Sequence, residues 1–509
     1  MEKNYSQSMR LFRLTALCTV LFSFAAHGYR FLSLSFSGDS MFIAQTEDAL
    51  YQVSLGRFLQ PLYWQIRGPI TAPLTCGLFT TAFLIISSFL IIRLFDFEHP
   101  LQIILTCGLL TANETMAVSS AAYLPWMDVY ALSLMLNVSA VYLFFNWKHG
   151  AWFSPLLMAI SLGLYQSYLP TSSTLVILLL LKKLLSGEHI RSIWTRGIHF
   201  CLLLVAALLI YAAALKGILF VMDIQADQNY NGVGNVAIPS LSQILPLLIS
   251  TYRTPLIVLF SLSGTPAMTW HVSTVPAELN LVCFAAALAV LVTRLKNKPI
   301  STWMTALFLL FILPASANFI EFIAQGTSSG LTIYAYNLLY LLPVFLFCDY
   351  ASTARVVRLC SQLACTILAI LLVFNIHTSN QIVLKRDLEF SATTSAISRI
   401  LDRAKTTEGY IPGETPVVII GYLPSSSLSM ERPGFETIAR AQGMRYTYAA
   451  SYETSTYWYL QMAMGEPINL VPHNERERLS KIAYEESMPS YPNPDCCQMR
   501  DGYLYLRLN

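Results

Sequence analysis

The chain has 509 residues, of which 55% are apolar or aromatic and only 12% are Asp, Glu, Lys or Arg. That is about half the charged fraction of a soluble globular chain, so a soluble multidomain enzyme is excluded and the bilayer is the main solvent; the mean hydropathy of +0.53 agrees. A net charge of +3 with no Lys/Arg block longer than two residues argues against a nucleic-acid partner, and ten cysteines without paired CxxC spacing exclude a disulfide framework or a zinc ribbon.

A membrane helix needs about 20 mostly apolar residues. Eleven candidate spans read from the chain, near 11–33, 71–93, 100–120, 127–146, 152–169, 170–186, 197–220, 276–294, 302–323, 330–349 and 356–376. The third is interrupted by Asn113 and Glu114, and the fifth and sixth are separated only around Pro170. The apolar stretch 240–262 carries Tyr252, Arg253 and Pro255 in its middle and reads as interfacial or re-entrant. The run after Lys3, Arg10 and Arg13 continues past Ala25-Ala26 through Tyr29, Phe31 and Leu32, longer than a signal-peptide core, and predicts a retained first helix.

The distribution of basic residues sets an orientation. With the N-terminus cytoplasmic, fourteen Lys and Arg fall in inside segments, from Lys3 to Arg358, against five outside before residue 377: Arg30, Arg57, Arg67, Lys216 and Arg253. An odd number of spans then puts the C-terminal region outside. From His377 the composition changes to thirteen basic and fifteen acidic residues in the last 133. A charged helix near 381–406, the β-branched run Pro416–Gly421, helices near 433–443 and 452–464 and an alternating strand at Tyr503–Leu506 predict a small extracytoplasmic α/β domain. The expected division is a transmembrane domain over 1–376, with outside loops at 35–70 and 221–275, and a soluble domain over 377–509. Tyr446, Tyr448, Tyr452, Tyr457, Trp458 and Tyr459 offer that domain either sugar-stacking surface or its own core.

A charge in hydrocarbon costs roughly 2.5 to 3.5 kcal/mol on insertion scales, so the depth of each ionisable residue is informative. An ion-coupled transporter places carboxylates or histidines near the bilayer centre. Here Asp39, Glu47, Asp48, Glu114, Asp128, Asp223, Asp227, Glu278 and Glu321 all fall in outside loops or at outer helix ends. Any chemistry belongs at that surface. The first outside loop is the richest segment: glycines at 38, 56 and 68 punctuate two short amphipathic helices carrying Phe42, Tyr51, Phe58, Tyr63 and Trp64, a composition suited to the headgroup layer. Arg57 and Arg67 add two cations able to hold a lipid phosphate.

The pattern of this loop resembles the bacterial GtrII-like glucosyltransferases that modify O-antigen and related surface polysaccharides. The resemblance rests on Ser37-Gly38-Asp39-Ser40, Glu47-Asp48, and Ser54-Leu55-Gly56-Arg57-Phe58-Leu59-Gln60-Pro61. It extends to Ala122-Tyr123-Leu124-Pro125-Trp126-Met127-Asp128-Val129-Tyr130, to Leu162-Gly163-Leu164-Tyr165-Gln166-Ser167-Tyr168, and more weakly to Tyr334. Gly38 departs from the pattern, which has His or another polar residue there. The resemblance implies a polytopic GT-C-type fold, a polyprenyl-phosphate sugar donor, and transfer to a polysaccharide or glycolipid acceptor on the extracytoplasmic face of the bacterial inner membrane.

Asp39 is then the candidate general base, with Asp128, Glu47 and Asp48 as competing carboxylates; Asp128 equally suits a helix cap. Arg57 and Arg67 are candidates for the donor phosphate, and Gln60, Tyr165, Gln166 and Tyr334 for substrate contacts. No cofactor is expected, and no metal ligands: the chain has no D-x-D, GxSxG, HExxH or P-loop motif, and Gly232-Val233-Gly234 is an isolated pair of glycines. Two rivals predict otherwise. A polysaccharide or lipid flippase needs a charged path through the spans, and a non-catalytic assembly subunit needs no functional carboxylate.

Overall fold

The computed structural model describes residues 2–33, 35, 49–227, 240–260, 277–323, 329–347, 355–421, 423, 459–485 and 487–509. Asp39, Glu47 and Asp48 lie outside the described residues, as do Tyr446, Tyr448, Tyr452, Tyr457 and Trp458. The chain divides into two compact units, one of Met1–Leu32, Ala44–Ser120 and Leu124–Asn380, the other of Ser33–Ile43, Ala121–Tyr123 and Gln381–Asn509.

The first unit is helical: α1 Glu2–Leu32, α2 Ala49–Ser54, α3 Gln60–Arg67, α4 Pro73–Leu94, α5 Pro100–Thr111, α6 Glu114–Ala122, α7 Leu124–Asn146, α8 Gly150–Leu164, α9 Leu169–Leu185, α10 Ile190–Met222, α11 Leu241–Phe260, α12 Ala277–Leu295, α13 Ile300–Ile323, α14 Tyr334–Leu338, α15 Leu341–Phe347 and the first half of α16 Arg355–Thr406. Among the described residues ten helices are long and apolar enough to cross a membrane, with Gly150–Leu164 and Tyr334–Phe347 as shorter apolar segments. The chain is a multi-pass membrane protein.

Three local features separate these ten from the eleven spans expected. The tenth expected span is broken into α14 and α15, and the fifth stops at Leu164, where Tyr165 is extended with φ −160°. The stretch expected to lie in the interface forms the continuous helix α11 despite Pro246 and Pro255. It packs on α13, where its Ser250 and Thr254 hydroxyls donate to the buried carboxylate of Glu321, and Asn318 Nδ2 donates to Glu321 Oε2 at 2.6 Å. Arg253 of the same helix is exposed. Proline and polar residues are tolerated where a neighbouring helix satisfies the backbone and side chains.

The interruption at Asn113 is itself capped. Asn113 Nδ2 donates to the carbonyls of Leu109 and Leu110, each at 3.1 Å, and its Oδ1 accepts from Met116 N at 3.0 Å. One amide thus serves the orphan carbonyls ending α5 and an orphan N–H opening α6. The bundle packs α4 between α1 and α7, with α7 also against α8 and α9.

In the second unit the strands β1 Pro416–Ile420, β2 Asn469–Leu470, β3 Cys497–Arg500 and β4 Tyr503–Arg507 form one sheet in the order β2-β1-β4-β3. β1 is parallel to β2 and β4, while β3 and β4 form an antiparallel pair. Side chains alternate between its faces. Val417, Ile419, Leu504 and Leu506 pack with Ala396, Ile397 and Ile400 of α16; Val418, Ile420 and Tyr505 pack with Leu479 and Ala483 of α17 His473–Glu485. Tyr459, one of the aromatics offered for sugar stacking, is buried in the first of these cores and is hydrogen-bonded to Thr394.

Candidate functional site

The described site is built around α2, α3 and the turn between them. Gly56, at φ 79°, closes α2, and its N–H donates to Val53 O while Arg57 N donates to Gln52 O, each at 2.9 Å. A left-handed φ is open to glycine at little cost, which explains glycine at this turn. The turn presents Leu55, Gly56, Arg57, Phe58 and Leu59 to the far end of α8. Leu59 N donates to Gly163 O at 2.9 Å, Gln60 Nε2 to Leu164 O at 2.7 Å, and Gln166 Nε2 to Leu55 O at 3.0 Å. Tyr211 of α10 donates to Gly56 O at 3.1 Å, accepts from Gln166 Nε2 at 3.0 Å, and stacks on Phe58 with centroids 5.9 Å apart. A Cβ added at Gly163 would sit 3.0 Å from both Leu59 Cδ1 and Phe58 Cζ, so the two chain segments approach as closely as a side chain there permits.

Arg57 is held from two sides. Its Nη1 donates to Gln52 Oε1 at 3.1 Å, and the guanidinium lies 4.9 Å from the centroid of the Tyr165 ring. Tyr165 begins an aromatic row: Tyr130 is 4.3 Å from Tyr165, Tyr168 is 6.1 Å from Tyr130, and Tyr334 is 5.1 Å from Tyr168, centroid to centroid. Tyr334 donates to Leu110 O at 2.6 Å, whereas the buried Tyr168 hydroxyl meets no partner.

At the other end of α3, Arg67 and Asp128 form an ion pair at 2.9 Å with side chains 1% and 0% exposed. Asp128 Oδ2 also accepts from the Tyr63 hydroxyl at 2.8 Å, and Oδ1 from Val129 N at 3.0 Å. Arg67 Nη1 further donates to Pro125 O at 3.0 Å. Burial works against the charge on Arg67, but Asp128 and its hydrogen bonds outweigh that and push the guanidinium up, so it is a permanent cation. Burial, then the Asp128 charge, raise Tyr63, which stays a neutral donor. Asp128 is therefore fully engaged as an acceptor, and the segment Leu124–Tyr130 fastens α3 to the bundle.

The structure thus brings Arg57, Gln60, Tyr165 and Gln166 together in one group, and Arg67 with Asp128 in another, the two joined by α3. Tyr334 lies at the far end of the aromatic row. Sequence reasoning did not assign roles to Gln52, Tyr63, Trp64, Tyr168 or Tyr211. For Tyr63 and Trp64 a signal existed: Gln60, Tyr63, Trp64 and Arg67 recur at one-face helical spacing. Composition suits Tyr63 and Trp64 to the headgroup layer, but they are 9% and 2% exposed and point inward. Tyr211 sits inside an apolar span and carries no such signal.

The family model Glucosyl transferase GtrII matches residues 28–347, more than half of the chain. The protein belongs to the GtrII glucosyltransferase family. The match includes the α2–α3 turn, the α7 opening and the α8 end, whose packing against one another is described above. It stops before α16 and the four strands of the sheet. No curated protein and no solved structure matches the chain. Membership of the GtrII family places the protein among the glycosyltransferases and implies a sugar donor and an acceptor as its substrates.

Proposed function

We propose that the protein transfers glucose from a polyprenyl-phosphate donor to a lipid-linked or surface polysaccharide at the extracytoplasmic face of the bacterial inner membrane, within a GT-C-type transmembrane domain. The observation that carries this reading is a pair of cations, Arg57 in the turn before α3 and Arg67 at its last residue, held by packing and hydrogen bonds. A departing polyprenyl phosphate gains negative charge as its bond to the anomeric carbon breaks, and preorganised cations stabilise that charge. The bond that forms is from an acceptor hydroxyl to the same carbon, and the hydroxyl proton passes to a carboxylate.

Asp39 is the proposed base, with Glu47 and Asp48 beside it in sequence. Asp128, saturated by Arg67, Tyr63 and Val129 N, suits a positioning role. The sidedness is supported by the excess of Lys and Arg on the segments read as cytoplasmic.

The test is Asp39→Asn in the full-length protein reconstituted with glucose-bearing polyprenyl phosphate and acceptor polysaccharide. The variant should insert and bind donor, yet transfer glucose at least about 100-fold more slowly, the lower end of what a general base contributes. Near-normal transfer would remove Asp39 from the mechanism.

A further inference from the structure

Helix α3 exposes two large apolar side chains and buries several polar groups. Leu62 and Ile66 are 54% and 79% exposed, beside the exposed Gln65, whereas Gln60 and Trp64 are 0% and 2% exposed, and the Arg67 side chain is 1% exposed. An outer face with Leu62 and Ile66 and an inner face with buried polar groups suit a helix with lipid on one side and a polar site on the other. Gln60, Trp64 and Arg67 stand at i, i+4 and i+7, so they share the inner face.

Among the described residues, four buried polar atoms on that face have no hydrogen-bond partner: Gln60 Oε1, Trp64 Nε1, and Nε and Nη2 of Arg67. Other polar atoms of these side chains are engaged, Gln60 Nε2 with Leu164 O at 2.7 Å and Arg67 Nη1 with Asp128 Oδ1 at 2.9 Å. The residues are therefore held in place with one side of their bonding capacity unspent. Buried polar groups are nearly always paired, so a neutral acceptor, a neutral donor and a cationic fork on one helix face point to a ligand with complementary groups.

We infer that the inner face of α3 reads the sugar-phosphate head of the lipid-linked donor, and that Trp64 is a specificity-determining residue. Arg67 presents Nε and Nη2 as a two-pronged donor to phosphate oxygens. Trp64 Nε1 donates to a sugar hydroxyl, and Gln60 Oε1 accepts from one. Asp128 and Tyr63 act through Arg67 as positioning residues. The outward Leu62 and Ile66 put lipid against the same helix, matching a ligand with a polar head and an apolar tail. This assignment rests on the donor class proposed above and adds which residues distinguish the sugar from the phosphate.

The experiment measures binding of two probes to the full-length protein in lipid nanodiscs: a short-chain polyprenyl phosphate bearing glucose, and the same polyprenyl phosphate without sugar. Trp64→Phe keeps the aromatic bulk and removes the N–H. It should weaken the glucose-bearing lipid by about 3- to 10-fold, the worth of one neutral hydrogen bond, and leave the bare lipid unchanged. Arg67→Lys should weaken both. If Trp64→Phe binds the glucose-bearing lipid as the wild type does, or loses both lipids alike, the role of Trp64 is overturned while the donor class stands. If the wild type binds neither lipid, the donor class falls and this assignment with it. Should Trp64→Phe fail to insert, the wild type supplies the test: equal affinity for the two lipids overturns sugar reading by α3.

Discussion

The Arg67–Asp128 pair gives a prediction whose size follows from its surroundings. Asp128 accepts from four donor contacts, two from Arg67 Nη1 at 2.9 and 3.1 Å, one from Tyr63 at 2.8 Å and one from Val129 N at 3.0 Å. Asp128→Asn keeps the shape but leaves one acceptor oxygen for all of them, and it leaves the Arg67 cation buried without its counter-charge. Breaking a buried pair from one side costs about 3 to 5 kcal/mol, far more than the pair is worth against an apolar replacement. Because both side chains are out of solvent, the screening that reduces surface pairs to about 0 to 1 kcal/mol does not apply. Asp128→Asn should therefore destabilise the bundle by about 3 to 5 kcal/mol. The double variant with Arg67→Gln should fall short of the sum of the singles by about 0.5 to 3 kcal/mol. Reversible unfolding in mixed detergent–SDS micelles, followed by tryptophan fluorescence, measures both. Activity separates positioning from acid–base chemistry: in an Arg67→Gln background, Asp128→Asn should cost no further rate, whereas a general base would cost about 100-fold or more. A stability loss below about 1 kcal/mol, the range of an exposed pair, would refute the buried-pair reasoning.

Two further outcomes follow from the α2–α3 turn. Arg57→Lys should retain part of the transferase activity, since a point charge replaces a planar fork that also stacks on Tyr165, and Arg57→Ala should lose most of it; donor binding unchanged in Arg57→Ala would remove Arg57 from the phosphate site. Gly163→Val should destabilise the bundle by about 1 to 3 kcal/mol through overpacking against Leu59 and Phe58, with Gly163→Ala milder because only one methyl must be accommodated; a valine variant that unfolds with the wild type would show that the contact between α8 and the turn yields freely.

The membrane class and most spans were legible because twenty apolar residues leave a signal that tertiary context does not erase. The breaks were harder. Asn113 and Glu114 interrupt the third span in the sequence, and the structure places a capped helix break there; the polar residue is the mark of the break itself. In 240–262 the same kind of mark had a different outcome. Tyr252, Arg253 and Pro255 dilute the hydropathy, yet Leu241–Phe260 forms one continuous helix, in which Ser250 and Thr254 have Glu321 on α13 as a partner. A carboxylate 71 positions downstream of Ser250 is invisible to any local window. The tail aromatics show the limit in the other direction: surface and core readings of Tyr459 were equally compatible with composition, and only its packing against α16 and the sheet decides for the core.

At the site, residue types were legible and orientation was not. Periodicity marks Gln60, Tyr63, Trp64 and Arg67 as one face of α3 and Leu62 and Ile66 as another, but periodicity alone does not say which face is inward. In water the hydrophobic effect settles the question by burying the apolar face. Beside a bilayer that rule loses its sign, since hydrocarbon solvates Leu62 and Ile66 as well as a protein core does, while the polar face must find partners within the protein or its ligand. The bundle provides those partners only in part: Asp128, Pro125 O and Leu164 O hold α3 in position, and the remaining nitrogens of Arg67, the Trp64 N–H and the Gln60 oxygen stay unmatched. The same placement that hid the face from sequence reading is what lets it serve as the ligand-binding surface proposed above.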